Sequence, residues 1–229
     1  MEIYIGTSGW FYPWNLGQSL DWYTANSKLN SVELNASFYR FPFPNQIKSW
    51  AKKGKNLKWS VKVNRGITHL LRFNKDSYSV WQSFYDLFFP MRELIDFYLF
   101  QLPPSFTPDN RDIITEFIKY TNLNDKFALE PRNQNWFTEE EIKWAKKHNI
   151  TWVSIDAPKF PNTIYQTSDK VYLRMHGRTN WYQHNYSKKE LKEISLRIKI
   201  LKPKAVYIYF NNDQDMLANA QAMRQIMKD

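Results

Sequence analysis

Seven ionisable side chains stand at or just beyond the ends of short apolar runs, and their types suit acid–base work or the holding of an anion. Glu33, Glu130 and Asp156 are carboxylates, Lys62, Arg132 and Arg174 are cations, and His176 is an imidazole able to titrate near neutrality. Three chemistries can be built from them. Two carboxylates across a scissile bond, Glu33 and Glu130, are what glycoside hydrolysis requires. Oxygen and imidazole donors, Glu130, Asp156 and His176, are what a divalent cation requires, although Arg132 and Arg174 beside them would repel it. The third chemistry needs no metal: Lys62, Arg65, Arg132 and Arg174 clamp a phosphate or carboxylate, and Glu130 or His176 moves a proton. The plain alternative is a charge-balanced plug, since ions survive burial when paired.

Polar and aromatic neighbours extend the set. Ser8, Asn35, Gln101 and Asn211 also close apolar runs, while Trp10, Phe38, Tyr39 and His69 lie in the connections that follow. Rings in such loops either stack on a base or sugar or anchor the loop. The expected catalytic group is therefore Glu130, His176, Asp156 and Glu33. The expected ligand-binding group is Ser8, Trp10, Asn35, Phe38, Tyr39, Lys62, Arg65, His69, Gln101, Arg132, Arg174 and Asn211. No cofactor is expected, and a divalent metal on Glu130, Asp156 and His176 is the one exception that the residue types allow.

The elements that must position these residues are legible as a repeating order. Eight apolar runs each end in a polar cluster: Gly6-Thr7-Ser8-Gly9, Glu33-Leu34-Asn35, Lys62-Val63-Asn64, Gln101-Leu102-Pro103-Pro104, Glu130-Pro131-Arg132, Asp156-Ala157-Pro158, Arg174-Met175-His176-Gly177 and Asn211-Asn212-Asp213. Helical segments separate most of them: Pro44-Asn45 opens one closed at Gly54, Ile113, Ile114, Phe117 and Ile118 form an amphipathic stripe, and Ser187-Lys188-Lys189-Glu190 is a capping box. After the sixth run the helix is weak or absent. Strands alternating with helices predict an α/β chain with a parallel sheet, here one TIM-like (β/α)8 barrel over residues 1–229 whose strand C-termini share one mouth. Alternation within the runs predicts which side chains line the barrel: Ser60/Lys62, Glu130/Arg132, Ser154/Asp156, Tyr172/Arg174/His176 and Tyr207/Tyr209/Asn211, with the opposite, apolar parity against the helices. The fourth run has no clear direction, because Gln101 shares a parity with Phe97 and Leu99.

Composition narrows the function classes. A chain of 229 residues buries a core without staples, and with no cysteine it holds neither a disulfide nor a thiolate metal site, which fits a reducing cytoplasm. The start, Met1-Glu2-Ile3-Tyr4-Ile5, reads as a strand and not as a signal peptide, and no run approaches the ~20 apolar residues of a membrane span. The net charge of +10 is concentrated. Ten basic residues and no acid lie between Leu34 and Lys75, and the remainder of the chain is balanced. Such a stretch suits a polyanionic partner, a phosphate-bearing small molecule or nucleic acid, or else is a solvated basic helix.

Several of these clusters together resemble a known family. Gly6-Thr7-Ser8-Gly9-Trp10, Ser31-Val32-Glu33-Leu34-Asn35 with Phe38-Tyr39-Arg40, Ile67-Thr68-His69, Gln101-Leu102-Pro103-Pro104-Ser105-Phe106, Glu130-Pro131-Arg132, Arg174-Met175-His176-Gly177 and Phe210-Asn211-Asn212 are similar to the YecE-like family, which carries the domain of unknown function 72. The resemblance spans nearly the whole chain and implies a TIM-like barrel; it implies no reaction. The functional expectation is thus a barrel mouth that binds a phosphate-containing ligand, with phosphoester hydrolysis as the reaction if it is an enzyme. A non-catalytic nucleic-acid-binding protein and a glycoside hydrolase-like enzyme are the alternatives.

Overall fold

The computed structural model describes residues 1–228. Eight strands, all parallel wherever they pair, follow one another around a nearly closed barrel: β1 Glu2–Thr7, β2 Ser31–Leu34, β3 Lys58–Lys62, β4 Ile95–Gln101, β5 Phe127–Glu130, β6 Thr151–Asp156, β7 Lys170–Met175 and β8 Ala205–Phe210. Outside lie α1 Leu20–Asn26, the single turn α2 Ala36–Tyr39, α3 Pro44–Lys53, α4 Asp76–Leu87, α5 Arg111–Thr121, α6 Glu139–Lys147, α7 Lys188–Leu201 and α8 Met216–Lys228. The start and stop signals at Pro44, Gly54 and Ser187 act as the sequence implies: Pro44 opens α3, Gly54 closes it and Ser187 caps α7 through its side chain, while Ser19 and Thr138 cap α1 and α6 in the same way. The residues between β6 and β7 form no helix. Among the described residues no helix is long and apolar enough to cross a membrane.

Two apolar layers hold the barrel. The outer one packs the helices onto the strands. The inner one fills the axis with Tyr4, Phe97, Leu99, Ala128, Val153, Tyr172, Ala205, Tyr207 and Tyr209. Phe97 and Leu99 therefore point inward and carry Gln101 with them to the mouth, which settles the direction of β4. The base of the axis is closed by Tyr4 stacked on Tyr207 at 4.7 Å, with Tyr207 donating to Asp96 at 2.8 Å.

Strand β6 departs from the expected alternation. Val153 belongs to the inner layer, so Trp152, Ser154 and Asp156 face outward. The physical reason is the missing helix. The segment after β6 returns along its outer face as irregular backbone and needs polar partners there: Ser154 Oγ accepts from Tyr165 N–H at 2.8 Å, and Thr167 Oγ1 bridges Trp152 N–H and Ile150 C=O.

The seam between β1 and β2 is stitched by side chains. Strand β1 has its backbone ladder with β8, and no ladder joins it to β2. Asn30 spans the gap instead, accepting from Ile5 N–H at 2.9 Å and donating to Ile3 C=O at 2.8 Å. Tyr23 donates to Ser31 C=O at 2.8 Å and accepts from Thr7 N–H at 3.3 Å. The strands approach so closely that a Cβ on Gly6 would stand 2.3 Å from Ser31 O. A Gly6→Ala substitution is therefore expected to cost about 1–3 kcal/mol through backbone displacement. Urea unfolding checks this, and an unchanged midpoint would mean that the seam has slack.

Candidate functional site

Arg174, at the end of β7, is the centre of the mouth. It is fully buried and donates from Nη1 to Glu130 Oε2 at 2.5 Å and from Nη2 to Glu33 Oε1 at 2.6 Å, tying β7 to β5 and β2. Glu33 also accepts from Asn35 Nδ2 at 2.9 Å and from the Tyr172 hydroxyl at 2.5 Å. Burial, then Glu33, hold that phenol protonated well past its ordinary range, so Ser60 Oγ, 2.7 Å away, is the donor to the phenol oxygen. Glu130 is held from its other side by Arg132 Nε. Burial alone would raise the Glu130 carboxyl, but Arg132, Arg174 and Lys62 outweigh it and hold the group at about 2. Burial disfavours charge on Arg174 too, and Glu130 and Glu33 more than offset it.

His176 is the neutral member. Burial, then Arg174, Arg132 and Lys62, push its pKa well below the ordinary value. Its Nε2 lies 3.1 Å from Arg132 Nη2, and a guanidinium can only donate, so Nε2 carries the lone pair and Nδ1 the proton. Nδ1 meets the Asn211 amide at 3.0 Å, and Ser8 Oγ lies 2.5 Å from the far side of that amide. The consistent assignment turns the Asn211 oxygen toward His176 and its nitrogen toward Ser8 Oγ. Arg132 rests on the Trp181 ring at 5.0 Å, and Trp181 and Tyr182 pack against His176.

Lys62, ending β3, is the cation with no carboxylate. Among the described residues its ammonium forms no ion pair, and Nζ sits 4.0 Å from the centre of the Phe38 ring, on α2. Burial, then Arg174, lower its pKa to about 7 against the pull of Glu130 and Glu33. Lys62, Arg132, Arg174, Gln101, Asn35 and Asn211 line a cavity of about 350 Å³, with Ser8, Tyr12, Tyr39, Tyr182 and Asp213 at its walls. A second cleft of about 380 Å³ shares Ser8, Tyr12, Asn35 and Tyr39 with it and runs out between Trp10, Phe11 and Trp50.

The expected residues thus divide. Glu33, Glu130, His176, Lys62, Arg132, Arg174, Gln101, Asn35, Asn211, Ser8 and Tyr39 meet at the mouth, and Trp10 lines the adjoining cleft, its ring edge-on to Trp50 and Trp59 at 5.7 Å each. Phe38 forms the floor under Lys62, and His69 stands behind it at 5.1 Å, bonded to Thr68. Arg65 is exposed at the start of a single π-type turn, Gly66–Leu70, and lines neither cavity. Asp156 is the correction. Facing outward on β6, it accepts from the Tyr186 hydroxyl at 3.1 Å and from Arg178 Nη2 at 3.0 Å. The expected metal set of Glu130, Asp156 and His176 is therefore not brought together, and among the described residues no three His, Asp or Glu side chains group as metal ligands. The basic stretch is also divided: Lys58 and Lys62 stand at opposite ends of β3, and Lys53 pairs with Asp21 on the outer surface. Sequence reasoning missed Tyr12, Trp181, Tyr182 and Asp213. The Trp181-Tyr182 pair five residues beyond His176 was the available signal.

Residues 4–229 match the family described as protein of unknown function DUF72. The chain belongs to that family. A DUF72 family protein from Thermotoga maritima superimposes with a TM-score of 0.88 at 27% identity, each chain covered completely. A DUF72 family protein from Enterococcus faecalis superimposes at 0.85 and 21% identity, over 99% of this chain and 96% of its own. Beyond DUF72 the likeness is one of fold. A sugar phosphate isomerase/epimerase from Parabacteroides distasonis reaches 0.59 at 11% identity, over 100% of this chain and 95% of its own. No functionally curated protein matches the sequence.

In this DUF72 chain both carboxylates of the mouth, Glu33 and Glu130, grip one guanidinium, and Glu130 is ionised throughout the physiological range. Among the described residues the cavity groups without a side-chain hydrogen bond include the Lys62 amine, Arg132 Nη1 and the Gln101 amide.

Proposed function

We propose that the barrel mouth binds a small anion of the phosphate or carboxylate class that carries a ring. The observation behind this reading is that the two buried carboxylates of the mouth, Glu33 and Glu130, are already engaged by Arg174 and Arg132, which leaves Lys62 without a carboxylate among the described residues; the further acid of the 350 Å³ cavity, Asp213, is exposed at its rim. Arg132 is the anchor. Its Nε and Nη2 are used by Glu130 and His176, while Nη1 has no partner among the described residues and the guanidinium is braced against Trp181. An oxyanion at Nη1 makes a charge-assisted hydrogen bond in a site shielded from water. The adjoining cleft supplies faces of Trp10, Tyr12 and Tyr39 for the ring. A phosphate-bearing ligand fits this pairing, and the pinned carboxylates favour its binding over phosphoester cleavage.

Calorimetric titration with sulfate, which stays dianionic across the neutral range, tests the reading. Saturable binding is expected, and Arg132→Met should weaken it about tenfold or more, the loss of one hydrogen bond between charged groups. A variant binding as tightly as the wild type would remove Arg132 from the site. A single-stranded oligonucleotide that binds with steep salt dependence, indifferent to Arg132→Met, would move the function to the outer surface.

A further inference from the structure

We propose that Lys62 is a nucleophilic amine that forms an imine with an aldehyde or ketone carrying an anionic group, held in the mouth so that the anion lies on Arg132 and the carbonyl faces Nζ. The inference rests on the anion-binding reading above and narrows its ligand to a carbonyl compound.

Four features of the site carry it. The first is placement: Lys62 is 8% exposed, yet it lines the cavity with Arg132 and Arg174, so its amine is shielded from bulk water and open to a bound molecule. The second is the lack of a structural duty. Every other cation of the mouth grips a carboxylate, whereas the described residues give Lys62 no ion pair and no side-chain hydrogen bond, only the Phe38 face at 4.0 Å. A lysine held merely to balance charge would be expected to reach Glu33 or Glu130, which instead share Arg174. The third is electrostatic. Burial and the neighbouring guanidinium groups bring the amine to about 7, where a large fraction is neutral at physiological pH, and desolvation beside other cations is how lysines become nucleophiles. The fourth is support. Phe38 under Nζ fixes the side chain and is itself packed edge-on by Tyr39 and His69 at 5.1 Å each.

The chemistry balances without an oxidant or reductant. The Nζ lone pair attacks the carbonyl carbon, the π pair moves to oxygen, and a proton passes from nitrogen to oxygen to give the carbinolamine. Loss of the hydroxyl with one further proton releases water and leaves C=N, which is hydrolysed by the reverse path. A protonated imine acidifies the neighbouring C–H bond.

Pyridoxal 5′-phosphate, an aldehyde with a ring and a phosphate, is the probe. The full chain is incubated with it, reduced with borohydride, digested and mapped by mass spectrometry. One dominant adduct is expected on the peptide containing Lys62. Its yield should rise through pH 7 and then level, while exposed lysines continue to climb toward about 10.4. Label spread over surface lysines, with Lys62 unmodified, would overturn the proposal. A second arm adds sulfate. Protection of Lys62 by sulfate supports both readings, whereas an adduct on Lys62 that sulfate leaves unchanged keeps the nucleophile and overturns the anion site. Because the map is read on the wild-type protein, no variant has to fold, and Lys62→Arg serves only to confirm the assignment.

Discussion

Glu130→Gln is expected to destabilise the protein by about 3–5 kcal/mol, the cost of leaving a buried cation without its partner. For a chain of this size that corresponds to a fall of roughly 6–20 °C in melting temperature. The carboxylate is fully buried, and removing its charge strands Arg132 completely and Arg174 on one side. The same group sets the acid limit. Its folded pKa of about 2 lies below the ordinary 4.5, so its contribution is complete above about pH 4.5 and is lost as pH falls through 2. It amounts to about 3 kcal/mol. Chemical denaturation of wild type and Glu130→Gln between pH 5 and 2 separates the two: the wild type should lose stability faster, and parallel curves would show that Glu130 is not the group responsible.

Arg174→Met should be as costly, about 3–5 kcal/mol, for the opposite reason. The side chain keeps its length and loses its charge, leaving Glu33 with only Asn35 and Tyr172 as donors and no cation. Adding Glu33→Gln should return part of the loss, with a coupling of about 0.5–3 kcal/mol between the two positions. Additive losses in that double-mutant cycle would mean that Glu33 and Arg174 do not act as a pair.

Particular residues explain which parts of this architecture were legible in the sequence. The eight run ends and their order are written in local chemistry, alternation and caps, so the barrel and the convergence of Glu33, Lys62, Glu130, Arg132, Arg174 and His176 follow from topology. Asp156 shows the limit. Its face depends on what covers β6, and the covering segment is irregular backbone that selects Ser154 as a partner, a demand no alternation pattern records. Arg65 shows another: a short turn after β3 decides whether a loop cation reaches the mouth or solvent. Pairing was also hidden. By type, three acids and three bases at strand ends are interchangeable, whereas the structure gives Glu33 and Glu130 to Arg174, turns Asp156 outward to Arg178 and, among the described residues, leaves Lys62 no carboxylate. That allocation depends on barrel stagger and side-chain reach, which one strand's sequence does not contain.

The stitched seam has a consequence for biosynthesis. Among the described residues β1 takes its backbone ladder from β8, with Glu2 opposite Ala205, and meets β2 through Asn30 and Tyr23. Strand β1 is made roughly 200 residues before the strand it pairs with, so about 10–40 s pass at ordinary elongation rates before its ladder can exist. During that interval Ile3 and Ile5 are a short apolar edge joined to β2 by the Asn30 and Tyr23 side chains and by the Asn30 N–H on Ile5 C=O, and the barrel closes only when β8 reaches β1.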